Sequence, residues 1–384
     1  MTEQPLHLDS LFVHGGITRD VRTGASSVPI YQCSTFHQED PLHLGEYDYA
    51  RSGNPTRHAL EQAIADLEGG VAGYAFASGL AAICSVLMTF KPHDHIVVCE
   101  DVYGGTFRAL TKLFHQWNLE VSFANAADPE VFAAAIQPNT RALYVETPSN
   151  PLLKVTDLAA IARIAAERGL LSIVDNTFMS PALQRPIEFG FDIVLHSATK
   201  FLGGHSDLVA GLAVVRDPAV GKQIQFVQNA FGAILGPQDS WLVARGLKTL
   251  GVRMARQQAT ALLMAQWLSE QPNVVGVHYP GLKSHPGHSL QHSQAAGAGA
   301  VLSFEFPDEQ QAVHFIKNVK LPLVGVSLGG IETIVSYPTT MSHAAMPPAE
   351  RIARGISPGL VRVSVGLEDY DDLQRDFAQA FLEH

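Results

Sequence analysis

Two residues able to do chemistry together, Asp175 and Lys200, each stand at or just beyond the end of a short apolar run. Leu171-Ser172-Ile173-Val174-Asp175 precedes Asn176-Thr177, and Ile193-Val194-Leu195-His196-Ser197 precedes Ala198-Thr199-Lys200. Runs of this length between helical patterns predict buried parallel strands, and open α/β sheets place ligands outside the carboxyl ends of such strands. Asp175 and Lys200 are therefore expected in one crevice. A carboxylate and an amine so placed suit an aromatic cofactor with a ring nitrogen and an aldehyde. The carboxylate holds the nitrogen protonated and the amine forms a Schiff base, which is the chemistry of pyridoxal phosphate.

A cofactor phosphate needs its own donors. Ser78-Gly79 opens the apolar stretch Leu80-Ala81-Ala82-Ile83-Cys84 directly after Tyr74-Ala75-Phe76-Ala77. Ser78 is a good helix N-cap, and Gly79 allows close approach of a ligand to the backbone. A helix N-terminus offers free N–H groups and a positive dipole, so the Gly79 and Leu80 amides are candidates for the phosphate. A plain strand-to-helix turn with a capping serine fits the same residues.

The elements that must position these groups alternate between strand and helix from residue 56 to 250, the expected cofactor-binding domain. Residues 1–55 lack that alternation, carry Gly15-Gly16, Pro29, Pro41, Gly45, Gly53 and Pro55, and predict an extended arm. Pro29-Ile30-Tyr31 and Thr35-Phe36 within it need an apolar surface, which a neighbouring subunit would supply. Residues 251–384 predict a smaller α/β domain with strands at 300–306 and 360–365 and helices at 309–319 and 369–381.

Composition narrows the function classes. With 384 residues, 46% hydrophobic and 16% charged, the chain reads as a soluble globular protein with a large core. A net charge of −11, from 37 acidic against 26 basic residues, gives no footprint for nucleic acid or anionic membrane. Cys33, Cys84 and Cys99 form no CxxC pair, and no secretory signal or long apolar span is visible, so a reducing cytoplasm is expected. His285, His288 and His292 lie in a Gly/Pro/Ser loop with no carboxylate, and no metal is expected there. Gly297-x-Gly299 lacks the third glycine of a dinucleotide fingerprint, and Gly221-Lys222-Gln223 lacks the hydroxyl of a P-loop.

Ser197-Ala198-Thr199-Lys200-Phe201-Leu202-Gly203-Gly204-His205-Ser206-Asp207 resembles the lysine signature of the Cys/Met-metabolism pyridoxal-phosphate enzymes, the transsulfuration family. The resemblance implies the aspartate aminotransferase-like fold (fold type I), a mostly parallel central sheet with a smaller C-terminal α/β domain. It makes Lys200 the cofactor-bearing lysine, Ser197 and Thr199 phosphate-binding hydroxyls, and Asp175 the partner of the pyridinium nitrogen. Ser78-Gly79 is similar to the family's Ser-Gly-x, and Tyr103 to the tyrosine that stacks on the cofactor ring and could assist proton transfer. Asn150, in Thr147-Pro148-Ser149-Asn150-Pro151, resembles the residue near the cofactor's phenolic oxygen and the substrate carboxylate. Tyr49 and Arg51, in Tyr47-Asp48-Tyr49-Ala50-Arg51, are similar to a tyrosine and arginine that reach the phosphate of a partner subunit's cofactor. Arg362, in Leu360-Val361-Arg362-Val363-Ser364, and Ser327, in Val326-Ser327-Leu328-Gly329-Gly330, resemble residues that hold the substrate's α-carboxylate. A homotetramer of two catalytic dimers is implied.

Reaction choice within the family rests on fewer residues. Relatives acting at Cγ often carry a glutamate where this chain has Val326, and methionine γ-lyases carry a cysteine where it has Gly105. Asp48 is similar to an acidic residue that meets the distal amino group in γ-synthases. With the runs 229–233 and 336–344, the chain most resembles bacterial enzymes that cleave the Cβ–S bond of cystathionine, on a route to methionine. Cystathionine γ-lyase and the γ-synthase or sulfhydrylase type are the alternatives; a non-catalytic protein on the same fold is disfavoured by the intact catalytic positions.

Overall fold

A computed structural model describes residues 6–16, 19–344 and 346–382. The strands are β1 (Ala72–Phe76), β2 (His95–Cys99), β3 (Glu120–Ala124), β4 (Thr140–Glu146), β5 (Leu171–Asp175), β6 (Ile193–Ser197), β7 (Gly211–Val215), β8 (Gly276–His278), β9 (Val301–Glu305), β10 (Leu323–Val324), β11 (Ile334–Ser336) and β12 (Leu360–Ser364). A seven-stranded sheet runs β1-β7-β6-β5-β4-β2-β3 and a five-stranded one β10-β11-β12-β9-β8.

In the larger sheet β3, β2, β4, β5 and β6 are mutually parallel, and β7 is antiparallel to both β6 and β1. The last strand of this sheet in chain order, β7, thus reverses direction. Helices on both faces bury strands such as Val97, Leu143, Val174 and Leu195 completely, which is why they read as continuous apolar runs rather than alternating ones. The smaller sheet has its own core of Leu302, Phe304, Phe315, Val363 and Phe377. The strands at 300–306 and 360–365 appear as β9 and β12. The sequence reading omitted β8, β10 and β11, which at two or three residues are too short to show a period.

Helix Leu250–Ser269 belongs to both cores. Leu250 and Met254 pack in the first, and Ala261, Met264, Ala265 and Leu268 in the second. A boundary at 250/251 accordingly falls at the start of a helix that serves both sheets.

The arm is less extended than expected. It opens with helix α1 (Leu8–His14), whose Phe12 is buried close to Gly251. Residues 28–31 are anchored on the same chain. Thr56 Oγ1 donates to Pro29 O (2.8 Å), Tyr31 N donates to Thr56 Oγ1 (2.9 Å), and Trp241 Nε1 donates to Val28 O (3.1 Å). Helix α2 (Pro55–Glu68) begins there, capped by the Asn54 side chain, with Gly69 in the left-handed conformation closing its other end.

Candidate functional site

On the side of the larger sheet, the chemically capable side chains sit where elements end. Asp175 ends β5, and its register partner on β4 is Glu146, so two buried carboxylates stand side by side. β6 ends at Ser197, and the turn after it carries Thr199 and Lys200. Helix α3 (Gly79–Leu87) starts beside them, with Ser78 Oγ accepting from Ala81 N (3.0 Å). A Cβ on Gly79 would stand 2.7 Å from Ser197 Cβ and 2.8 Å from Ser197 Oγ. Only glycine lets the helix N-terminus approach the serine that closely. The Gly79 and Leu80 N–H groups lie in the first turn, where no helix carbonyl can accept from them.

From between β10 and β11 of the smaller sheet, the turn at 326–330 is pressed onto the lysine backbone. A Cβ on Gly329 would stand 2.5 Å from Phe201 N and 2.9 Å from Lys200 C, and Gly329 N donates to Ser364 Oγ (2.8 Å). Ser327 has φ +92, a conformation that non-glycine residues rarely adopt. In that conformation its hydroxyl accepts from Lys200 Nζ at 2.5 Å. Arg362, on β12, donates to Asn150 Oδ1 (2.9 Å), Ser327 O (2.7 Å) and Ser336 Oγ (3.1 Å). Its Nε is buried and unpartnered, an open donor for a carboxylate.

A cavity of about 540 Å³ joins these groups. Its lining includes Ser78, Gly79, Leu80, Tyr103, Asn150, Asp175, Ser197, Thr199, Lys200, Val326, Ser327 and Arg362. Asp48, Tyr49 and Arg51 do not line it. Asp48 accepts from Tyr49 N (2.6 Å), Tyr49 is 45% exposed, and the Arg51 guanidinium lies 5.4 Å from the Tyr49 ring. Arg51 Cδ comes near Gly232, outside the cavity of its own chain. Thr199 is on the wall, but its hydroxyl donates to Ala210 O (3.2 Å) and accepts from Ala210 N (3.0 Å). Sequence reasoning gave no role to Glu146, Phe178, Arg108, Val209 or Met341, which also line the cavity. Glu146 alone left a signal, an acid closing an apolar strand beside the Asp175 strand. Its Oε2 accepts from Tyr103 N (2.9 Å), fixing the loop from which helix α4 (Gly104–Arg108) departs. Tyr103 is 43% exposed and leans over Gly105, where a Cβ would stand 2.3 Å from its ring.

Burial dominates the electrostatics. It lifts the Asp175 carboxyl above its ordinary value, opposed by hydrogen bonds from Thr177 (N to Oδ1, 3.0 Å) and by the charge of His196. Glu146 is lifted well above its ordinary value by burial and then by the neighbouring Asp175. Burial, helped by the Arg362 charge, lowers Lys200 to about 8. The folded protein therefore disfavours the ammonium form. Neutral amine is the minor form below that pH and the major form above it. The rate at which ligand-free protein attaches pyridoxal phosphate to Lys200 is expected to fall about tenfold per pH unit below 8 and to level off above it. Mixing experiments between pH 6 and 10, followed by visible absorbance, check this; a midpoint near the ordinary lysine value would show that burial does not tune the amine.

These residues fit pyridoxal phosphate. One wall offers a buried carboxylate for a ring nitrogen, the helix start offers free amides beside Ser197 for a phosphate, and the Lys200 amine lines the same cavity. A tyrosine ring stands at the rim.

Comparison with known proteins agrees with this geometry. The sequence model of the family described as Cys/Met metabolism PLP-dependent enzyme matches residues 9–382. A cystathionine β-lyase of Bacillus subtilis (strain 168) is 52% identical over 383 residues, covering 100% of this chain and 98% of that protein. A cystathionine γ-lyase of the same organism is 50% identical over 371 residues, covering 97% and 98%. The crystal structure of cystathionine γ-lyase from Lactobacillus plantarum complexed with L-serine superposes with a TM-score of 0.95 at 45% identity, covering 98% of each chain.

Proposed function

From the premise that this chain belongs to the Cys/Met metabolism PLP-dependent enzymes, we propose that it is a carbon–sulfur lyase that cleaves the Cβ–S bond of L-cystathionine. With one water consumed, the products are homocysteine, pyruvate and ammonia. The observation that carries the reading is Lys200 Nζ on Ser327 Oγ at 2.5 Å, on the cavity wall that also holds Asp175, Asn150 and Arg362.

Bound pyridoxal phosphate supplies an electron sink for the pair left behind when the substrate Cα proton departs. Asp175 would hold the ring nitrogen protonated. The Gly79 and Leu80 amides with Ser197 would hold the phosphate, and the Tyr103 ring would cover one face. Arg362, through its free Nε and its Asn150-bound end, orients the substrate's α-carboxylate and thereby its Cα–H bond. Lys200 Nζ, lowered to about 8 by burial, takes the Cα proton. Ser327 Oγ keeps that nitrogen aimed.

Val326, 66% exposed at the cavity rim, favours cleavage at Cβ, because it leaves no carboxylate where Cγ enzymes often carry a glutamate. Asp48 favours the γ-reading if a second subunit brings its arm over this cavity, and the similar γ-lyases keep that reading in play. Incubation with L-cystathionine decides between them. Pyruvate with homocysteine is expected; 2-oxobutyrate with cysteine would overturn the β-assignment and move specificity to Asp48.

The same proposal places Tyr49 and Arg51 in the partner subunit's cavity, within a homotetramer of two catalytic dimers. The three cysteines are unpaired, which suits the reducing cytoplasm. Among the described residues no helix is long and apolar enough to cross a membrane.

A further inference from the structure

Behind the cavity, on the opposite face of the large sheet, lies a fully buried acid that the chemistry above does not use. Glu68 is the last residue of α2 and is 0% exposed. A single oxygen, Oε1, accepts from Asn176 Nδ2 (2.9 Å) and meets His196 Nε2 at 2.6 Å. Glu68 Oε2 and His196 Nδ1 are buried with no partner. Burying a carboxylate is costly even when it is paired, and a pair of apolar residues would commonly serve stability as well.

The positions of the two tied residues explain what the pair holds. Asn176 directly follows Asp175, and His196 directly precedes Ser197. Side chains alternate across a strand, so the residues that face the cavity and those that face Glu68 are immediate neighbours. On the cavity face the same strand ends are laced by Thr177, which donates its N–H to Asp175 Oδ1 (3.0 Å) and accepts from Ser197 N (2.8 Å) at Oγ1. Gln184 extends the rear network. It donates to Asn176 Oδ1 (3.0 Å) and Thr147 O (3.3 Å), and its own carbonyl accepts from Asn176 Nδ2 (2.8 Å). Three strand ends, those of β4, β5 and β6, are thereby joined from behind at the level of the cofactor site.

We propose that Glu68 and His196 are positioning residues for the cofactor: one carboxylate oxygen clamps the ends of β5 and β6 so that the ring-nitrogen partner Asp175 and the phosphate partner Ser197 keep a fixed separation. The clamp acts on both ends of the bound molecule at once. It rests on pyridoxal-phosphate use and not on the choice between β- and γ-cleavage.

The test compares ligand-free preparations of the full chain: wild type, E68L, E68Q and H196N. Pyridoxal phosphate is titrated into each, and its affinity, its visible circular dichroism and the melting temperature of the ligand-free protein are read. E68L is expected to bind roughly tenfold or more weakly, with a reduced cofactor dichroism, as loss of supporting groups does at other bound-group sites. E68Q keeps an acceptor at Oε1 and places its NH₂ where Oε2 has no partner, so it should restore both readouts. A filler role without positioning would lower melting alone and leave affinity and dichroism of the folded protein at wild-type values; that result overturns the proposal. H196N, which keeps Asn176 on Glu68, decides the matter if E68L does not fold: weakened binding supports the clamp, and wild-type binding refutes it. A wild-type protein that took up no cofactor would instead refute pyridoxal-phosphate use, a distinguishable failure.

Discussion

Lys200→Ala is expected to reduce turnover of L-cystathionine by roughly 10⁴-fold or more, since it removes both the group that links the cofactor and the base that takes the Cα proton. The fold should survive, because the turn at 326–330 is pressed onto the lysine's backbone rather than its side chain. The measurements are pyruvate release and the melting curve of the purified variant; retained turnover would remove Lys200 from the mechanism. The same variant tests the arm. If Arg51 serves the partner's cavity, a dimer pairing K200A with R51A has one site bearing both defects and one site bearing neither. Random pairing makes half of the dimers mixed, so co-expressed variants should recover about a quarter of wild-type activity. An arm that serves its own cavity would give no recovery, and Tyr49 and Arg51 would lose their proposed place.

Asp175→Asn should move activity and stability in opposite directions. Turnover is expected to fall by roughly 10²–10³-fold, the scale seen when one fixed electrostatic partner of developing charge is lost. The ligand-free variant should melt higher by about 1–3 °C. Burial raises this carboxyl above its ordinary value, so in the folded protein the ionised form is penalised once the pH exceeds the unfolded value. At neutral pH an amide escapes that cost, and its oxygen still accepts from Thr177 N. A variant that both melted lower and kept its turnover would show that Asp175 is a structural acid rather than the ring-nitrogen partner.

The sequence displayed the cavity face of the site and concealed its rear. Asp175 and Lys200 were legible because polar residues close short apolar runs, whereas Ser78-Gly79 reads equally as a plain capped turn until Ser197 is seen against Gly79. Glu68 and His196 were not, since a charged residue ending an amphipathic helix and a histidine inside a strand usually face water or a packed core. Only the pairing of α2 with β6 shows that they meet. Helix α1 was missed for a different reason. At seven residues it is shorter than helices that persist alone in water, and it is stabilised by Phe12 entering a core that its local sequence does not reveal. The anchoring of residues 28–31 on their own chain likewise depends on Thr56 of α2 and on Trp241, well separated from them in sequence.

Helix Leu250–Ser269, whose Gln257 Nε2 donates to Gly330 O (2.8 Å), joins two sheets that divide the site between two inheritances. Groups that would hold the cofactor come from the seven-stranded sheet, while Val326, Ser327, Met341 and Arg362 arrive from the five-stranded one. A lineage can therefore redraft which thioether is accepted through loops of the second sheet, leaving the ring and phosphate contacts untouched. Divergence of activities on one scaffold then needs only a few side-chain changes, and overall identity becomes a poor guide to which sulfur bond a descendant breaks.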